Sequence, residues 1–176
     1  MSLLRFLGVP TLGKQARERG DTASVRRIAA QLERLEPGAA KHLASFAYVL
    51  ARVANADLEI VEAETAEMER IVRTLASLSE GEAALAVQIA KTQAHLLGDT
   101  ENYLVTREFR RIANREQRAQ LLQCLYAVAA ADGTISGDEG SVIGAIAEEL
   151  GFTRAESNAL RGEYRDKLSE LRRERA

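Results

Sequence analysis

Two short stretches of the chain carry acids at a shared spacing that could hold a hard cation. The first runs Leu50-Ala51-Arg52-Val53-Ala54-Asn55-Ala56-Asp57-Leu58-Glu59-Ile60 and continues to Glu64. The second runs Leu125-Tyr126-Ala127-Val128-Ala129-Ala130-Ala131-Asp132-Gly133-Thr134-Ile135 and continues to Glu139. Displaced by 75 residues, Leu50, Val53, Ala54, Ala56, Asp57, Ile60, Glu64, Ile71 and Leu75 fall on identical residues of the second stretch and its continuation. Apolar matches at helical spacing come easily in a chain rich in Ala and Leu. An Asp and a Glu kept seven apart around a shared Ile do not. Carboxylates separated by a tight turn, with main-chain carbonyls between them, are the donor mixture that Ca²⁺ or Mg²⁺ prefers.

The second stretch sets out what such a turn needs. In Asp132-Gly133-Thr134-Ile135-Ser136-Gly137-Asp138-Glu139, the glycine permits a positive φ and Ile135 can turn inward. Ser136 can cap the next helix, with Glu139 in its first turn. The spacing is that of the back half of an EF-hand loop, but Val128 and Ala130 stand where the first two acidic ligands of such a loop belong. One turn alone supplies too few ligands for a strong site. In the first copy Leu58 replaces the glycine, and Glu59, Glu62, Glu67 and Glu69 add charge. Should the two turns converge, Asp57, Glu64, Asp132 and Glu139 would form one metal site, with Glu59, Thr134 and Asp138 as additional ligands. Without a cation, four close carboxylates would raise one another's pKa values. A competing reading needs no metal: Glu64 and Glu139 sit in first helical turns, where a carboxylate complements the macrodipole and completes a cap. Sequence leaves both open.

Other chemistry is sparse. His42 and His95 are the only histidines and lack spaced partners for a zinc signature. His42 falls near the apolar stripe of its helix, and His95 near a helix C-terminus. The single cysteine, Cys124, excludes an internal disulfide and lies within an apolar pattern, as a buried thiol would. No phosphate-binding loop, nucleophile elbow or supported Ser/His/Asp arrangement is present. The expectation is a protein that is not an enzyme; metal-dependent hydrolysis would need a general base that the sequence does not identify. Arg107, Arg110, Arg111, Arg115 and Arg118 form a basic stretch. It reads either as a solvated face paired with Glu108 and Glu116, or as a docking patch for an acidic partner or a second copy, a homodimer.

The elements that must position these residues are helices. Asp21 or Thr22 can open a helix carrying Val25, Ile28, Ala29, Leu32 and Leu35, which Pro37-Gly38 is expected to stop. A second helix, about Ala39 to Asn55, places Leu43, Phe46, Ala47, Leu50 and Val53 in one stripe. A third carries Met68, Ile71, Val72 and Leu75. Capping boxes at Ser79/Glu82, Asn114/Gln117, Ser136/Glu139 and Thr153/Glu156 open the fourth, sixth, seventh and eighth helices. The fourth is expected to end at Gly98, the fifth to begin at Asp99 or Thr100, and the seventh to close at Gly151. The prediction is an all-α compact bundle of seven to eight helices, built from two similar helix–acidic turn–helix halves (about 42–75 and 117–150).

Composition agrees with that class. The 176 residues are 46% hydrophobic and 28% charged, without Trp and with two prolines, and carry a net charge of −2. Twenty arginines against four lysines do not make the chain basic, so no nucleic acid is expected. No apolar run is long enough to span a membrane, and the N-terminus lacks a signal-peptide pattern, so the expected location is cytoplasmic. Residues 1–20 read as an arm, with a peripheral membrane contact through residues 1–9 as its sharper reading, and residues 21–176 as the helical domain.

The segments Ala56-Asp57-x-x-Ile60-x-x-x-Glu64 and Ala131-Asp132-Gly133-x-Ile135-x-x-x-Glu139, each preceded by an Ala/Leu/Val helix, resemble the tellurite-resistance TerB family and its TerB-like relatives over roughly residues 38–165. The resemblance implies an all-helical cytoplasmic domain whose clustered acids bind a divalent metal. It also implies action through protein partners in a metal or oxyanion stress response. By position, the family's acids carry over to Asp57, Glu64, Asp132 and Glu139; Leu58 departs from the family's Asp-Gly form.

Overall fold

A computed structural model describes residues 21–54, 62–94 and 102–168, with backbone alone at 21–25, 54, 62–64, 93–94 and 102. Among these residues eight α-helices follow one another: α1 (Asp21–Leu32), α2 (Pro37–Ala54), α3 (Glu62–Leu75), α4 (Glu80–Ala94), α5 (Asn102–Ile112), α6 (Arg115–Ala129), α7 (Gly137–Glu149) and α8 (Arg154–Glu163). A 3-10 turn at Arg165–Lys167 follows α8. No strand occurs among the described residues, and the one extended pairing is an isolated parallel bridge between Ile135 and Leu168. The all-α bundle expected from the sequence is the observed architecture.

The helices are arranged around α2, which packs against α4, α5, α6 and α7. Its sequence predicts one apolar stripe, yet every side chain from Leu43 to Ala51 is buried. Helices that are apolar on all sides belong in the interior of a bundle. Ala44, Ala47 and Ala51 let neighbouring helices approach closely, while Phe46 and Leu50 fill the space between. Ser45 is buried in this run and satisfies its hydroxyl by donating to the Lys41 carbonyl at 2.8 Å. Phe46 meets Phe109 of α5 edge-on, with ring centroids 6.2 Å apart.

Helix starts follow their local signals. Ser79 N–H donates to Glu82 Oε2 (2.9 Å) and Glu82 N–H to Ser79 Oγ (3.3 Å), closing the box at α4. Asn114 and Gln117 exchange equivalent bonds at 2.9 Å before α6. Reciprocal boxes also form at Ser136/Glu139 and Thr153/Glu156. Gly151 follows α7 at φ 84°, the left-handed conformation that a helix stop favours.

Pro37 is a correction. It opens α2 and does not stop α1, which ends at Leu32 before a turn through Glu33–Glu36. Ala40 N–H donates to Glu36 O at 2.9 Å, making Pro37 the first helical residue. A proline there loses no hydrogen bond and already has a helical φ. Leu35 consequently lies in the turn, half-buried, and not on α1. The expected end of α4 at Gly98 and start of α5 at Asp99 or Thr100 lie outside the described residues, as does the arm of residues 1–20 with its membrane-contact reading. No helix among the described residues is long and apolar enough to cross a membrane.

Candidate functional site

The acidic turn between α6 and α7 is held at four points. After α6, Gly133 N–H donates to Ala130 O at 3.0 Å, and Gly133 takes φ 99° to reverse the chain. Asp132 Oδ1 then accepts from Thr134 N–H at 2.9 Å, a side-chain-to-backbone turn of the kind Asp favours. Ile135 enters the core at 1% exposure, and its N–H donates to Lys167 O at 2.8 Å beside the bridge to Leu168. Finally, Glu139 Oε2 accepts from Ser136 N–H at 2.8 Å while Glu139 N–H donates to Ser136 Oγ at 3.1 Å. The two carboxylates singled out by spacing thus sit on one turn, Asp132 exposed and Glu139 half-buried. Both accept main-chain N–H groups of that turn. Thr134 is half-buried between them, and Asp138 is exposed in the first turn of α7.

The turn offers the right chemistry for a hard cation but too few donors. Ca²⁺ wants about six to eight oxygens, whereas Asp132 and Glu139 are two carboxylates. No group of three or more His, Cys, Asp or Glu side chains gathers among the described residues. Asp57 and Glu59 lie outside the described residues. Glu64 is in the first turn of α3, as is Glu62, and the side chains of both lie outside the description. Glu67 turns to its own helix neighbour Arg70, at 2.6 and 2.8 Å. The structure therefore places Asp132, Thr134 and Glu139 together, and the meeting of both turns falls outside what it describes. α3 packs on α6, and α7 on α2.

Of the remaining candidates, Cys124 and His42 are described. Cys124 is fully buried, and burial pushes its thiol up to about 12. His42 stacks at a tilt on Phe109, centroids 5.0 Å apart; burial lowers its pKa, and the Glu82 carboxylate opposes that only in part. His95 lies outside the described residues. A cleft of about 430 Å³ at the start of α2 is lined by Lys41, His42, Leu43, Leu78, Glu82 and Gln117. Three of its polar groups are already engaged: Glu82 and Gln117 in caps, Lys41 in an ion pair with Glu108.

Two features were not legible in the sequence. Arg52 on α2 grips Glu149 on α7 with both terminal nitrogens (2.5 and 3.2 Å) and donates to Thr106 on α5 at 2.6 Å. At side-chain exposures of 12% and 17%, this is a largely enclosed pair joining three helices. The basic stretch also differs from its simplest reading. Arg111 does pair with Glu108, at 2.8 Å, but Arg115 pairs with Glu156 and not with Glu116. Arg115 also donates to Gly151 O (3.1 Å) and covers the Phe152 ring, while Arg118 donates to Leu150 O (2.8 Å). Two arginines thus satisfy the carbonyls that end α7.

The family comparison matches residues 42–162 to the model of the tellurite resistance protein TerB. Comparison with curated proteins and with solved structures finds no match. The matched span runs from His42 on α2 almost to the end of α8 and takes in both acidic stretches. Covering well over half of the 176 residues, it makes this chain a member of the TerB family.

Proposed function

We propose that the protein is a non-enzymatic, cytoplasmic helical module. In this reading it binds a divalent cation, Ca²⁺ or Mg²⁺, at its acidic turns and acts through protein partners in a metal or oxyanion stress response. The observation that carries the reading is the Asp132–Glu139 turn, where a left-handed glycine reverses the chain and brings two carboxylates onto one loop. Its sequence counterpart at Asp57 and Glu64 supplies the further carboxylates that a hard cation needs. Family membership supports the setting. Bound there, a cation would neutralise the acids and fix the turns between the helices they join.

A second reading is favoured by the reciprocal Ser136–Glu139 box, in which Glu139 serves as a cap and nothing more. The test is the melting temperature of EDTA-stripped protein titrated with Ca²⁺, Mg²⁺, Mn²⁺ and Zn²⁺. A native-state site raises stability by about 2.7 kcal/mol at a hundredfold excess over Kd, roughly 5–10 °C for a chain of this size. The comparison is an Asp132→Asn/Glu139→Gln variant. Asn still accepts from Thr134, and Gln still completes the box, as Gln117 Oε1 does by accepting from Asn114 N–H, so folding is kept and charge is lost. A saturable rise lost in this variant supports metal binding. Flat curves in both proteins would leave the acids as caps.

A further inference from the structure

Among the described residues, one side of α5 is left unused by the helical packing. Thr106 and Phe109 are buried where α5 lies on α2 and α7. On the far side Tyr103 and Leu104 are 51% and 59% exposed, the large apolar side chains left open among the described residues. Arg107, Arg110 and Arg111 are exposed on the following turns, at the three- and four-residue steps that keep side chains on one helix face.

Charge on this face is unbalanced. Arg111 shares the Glu108 carboxylate with Lys41, and these two cations hold Glu108 down to about 2. Arg107 and Arg110 make no ion pair among the described residues. Arg110 lies against Gly151, where an added Cβ would come within 2.9 Å of its guanidinium, next to the carbonyls held by Arg115 and Arg118. Burial lowers the pKa of Arg118, and the positive charges of Arg115 and Arg110 lower it further. Among the described residues, two of the five arginines of this stretch pair with carboxylates, Arg111 with Glu108 (shared with Lys41) and Arg115 with Glu156. A short run of arginines, in part without carboxylate partners among the described residues, beside two open apolar side chains, suits a short acidic and apolar segment; a chain of net charge −2 gives a long polyanion no extended basic surface to follow.

We infer that this face of α5 docks an acidic amphipathic segment of a partner protein. Apolar side chains of that segment cover Tyr103 and Leu104, and its carboxylates bind Arg107, Arg110 and Arg111. Tyr and Arg are the residue types that anchor interfaces, and an arginine fork takes a carboxylate in two parallel hydrogen bonds. The inference rests on the protein-partner half of the proposed function and is independent of the metal.

The test is fluorescence anisotropy in EDTA with a labelled helical peptide carrying Leu at every third or fourth position and Glu between. The same peptide with Lys for Glu is the control. Saturable, salt-sensitive binding of the acidic peptide alone is expected, weakened about tenfold or more by Leu104→Ser/Arg107→Glu. It should be unchanged by Arg34→Glu, an exposed arginine outside this face. Circular dichroism confirms that each variant is folded. Absence of saturable binding, or equal binding by the face variant, overturns the inference. So would tighter binding of a single-stranded oligonucleotide through the same arginines, or a concentration-dependent dimer abolished by Leu104→Ser. Failure of the metal titration leaves the inference standing, because no metal is present in this assay.

Discussion

Glu108 receives Arg111 from its own helix and Lys41 from α2, and the two cations hold its carboxyl at about 2 against an ordinary 4.5. A depressed carboxylate stabilises the fold above its unfolded value and loses that contribution as pH falls towards its folded value. For Glu108 the window is pH 4.5 down to 2. Glu108→Gln should therefore lower the urea midpoint at pH 7, while at pH 2 variant and parent converge. Part of the acid sensitivity will remain in the variant. Glu156 is also held near 2, by the Thr153 N–H and hydroxyl and by Arg115, and it unloads over the same interval. Urea titrations at pH 7, 4 and 2 check this. At this scale sequence was informative where the chemistry is local. Gly133 took the positive φ, Ile135 the core position and Ser136 the cap with Glu139 that their spacing assigned, because each acts within a few residues. Arg52 and Glu149 are 97 residues apart, and nothing near either one announces the other.

Helix boundaries show the same locality. All four capping boxes formed where they were read, since Ser, Asn or Thr followed by Glu or Gln needs no distant partner. Pro37 misled because proline ends one helix and begins the next with equal ease, and only the bond from Ala40 to Glu36 tells which. One junction departs from the usual chemistry: Ser77, just after α3, adopts φ 54° without being glycine. It is exposed, so replacement disturbs no packing. Ser77→Gly should raise stability by about 0.5–1 kcal/mol, since glycine enters the left-handed region without a Cβ clash. Chemical denaturation with an unchanged m-value would confirm it; a loss of stability would contradict it.

For the molecule as a whole, the fold class was legible but the arrangement was not. Periodicity gave α2 a single stripe. Its burial on every side depends on which helices come to meet it, and those are chosen by long-range packing. The Arg52–Glu149–Thr106 contact ties three of those helices together. Removing one partner leaves a largely enclosed charge, so Arg52→Met or Glu149→Leu alone should cost about 2–3 kcal/mol. The double replacement should cost less than the sum of the two, by about 1–2 kcal/mol, in a double-mutant cycle of urea unfolding. A last consequence follows from the bond between Ile135 and Lys167. Leu168, with its buried side chain and its bridge to Ile135, fastens the segment after α8 beside the acidic turn. Mechanically that segment is a strap across the turn: truncating the Leu168 side chain would slacken it and loosen the hold on Ile135 while every helix kept its own caps.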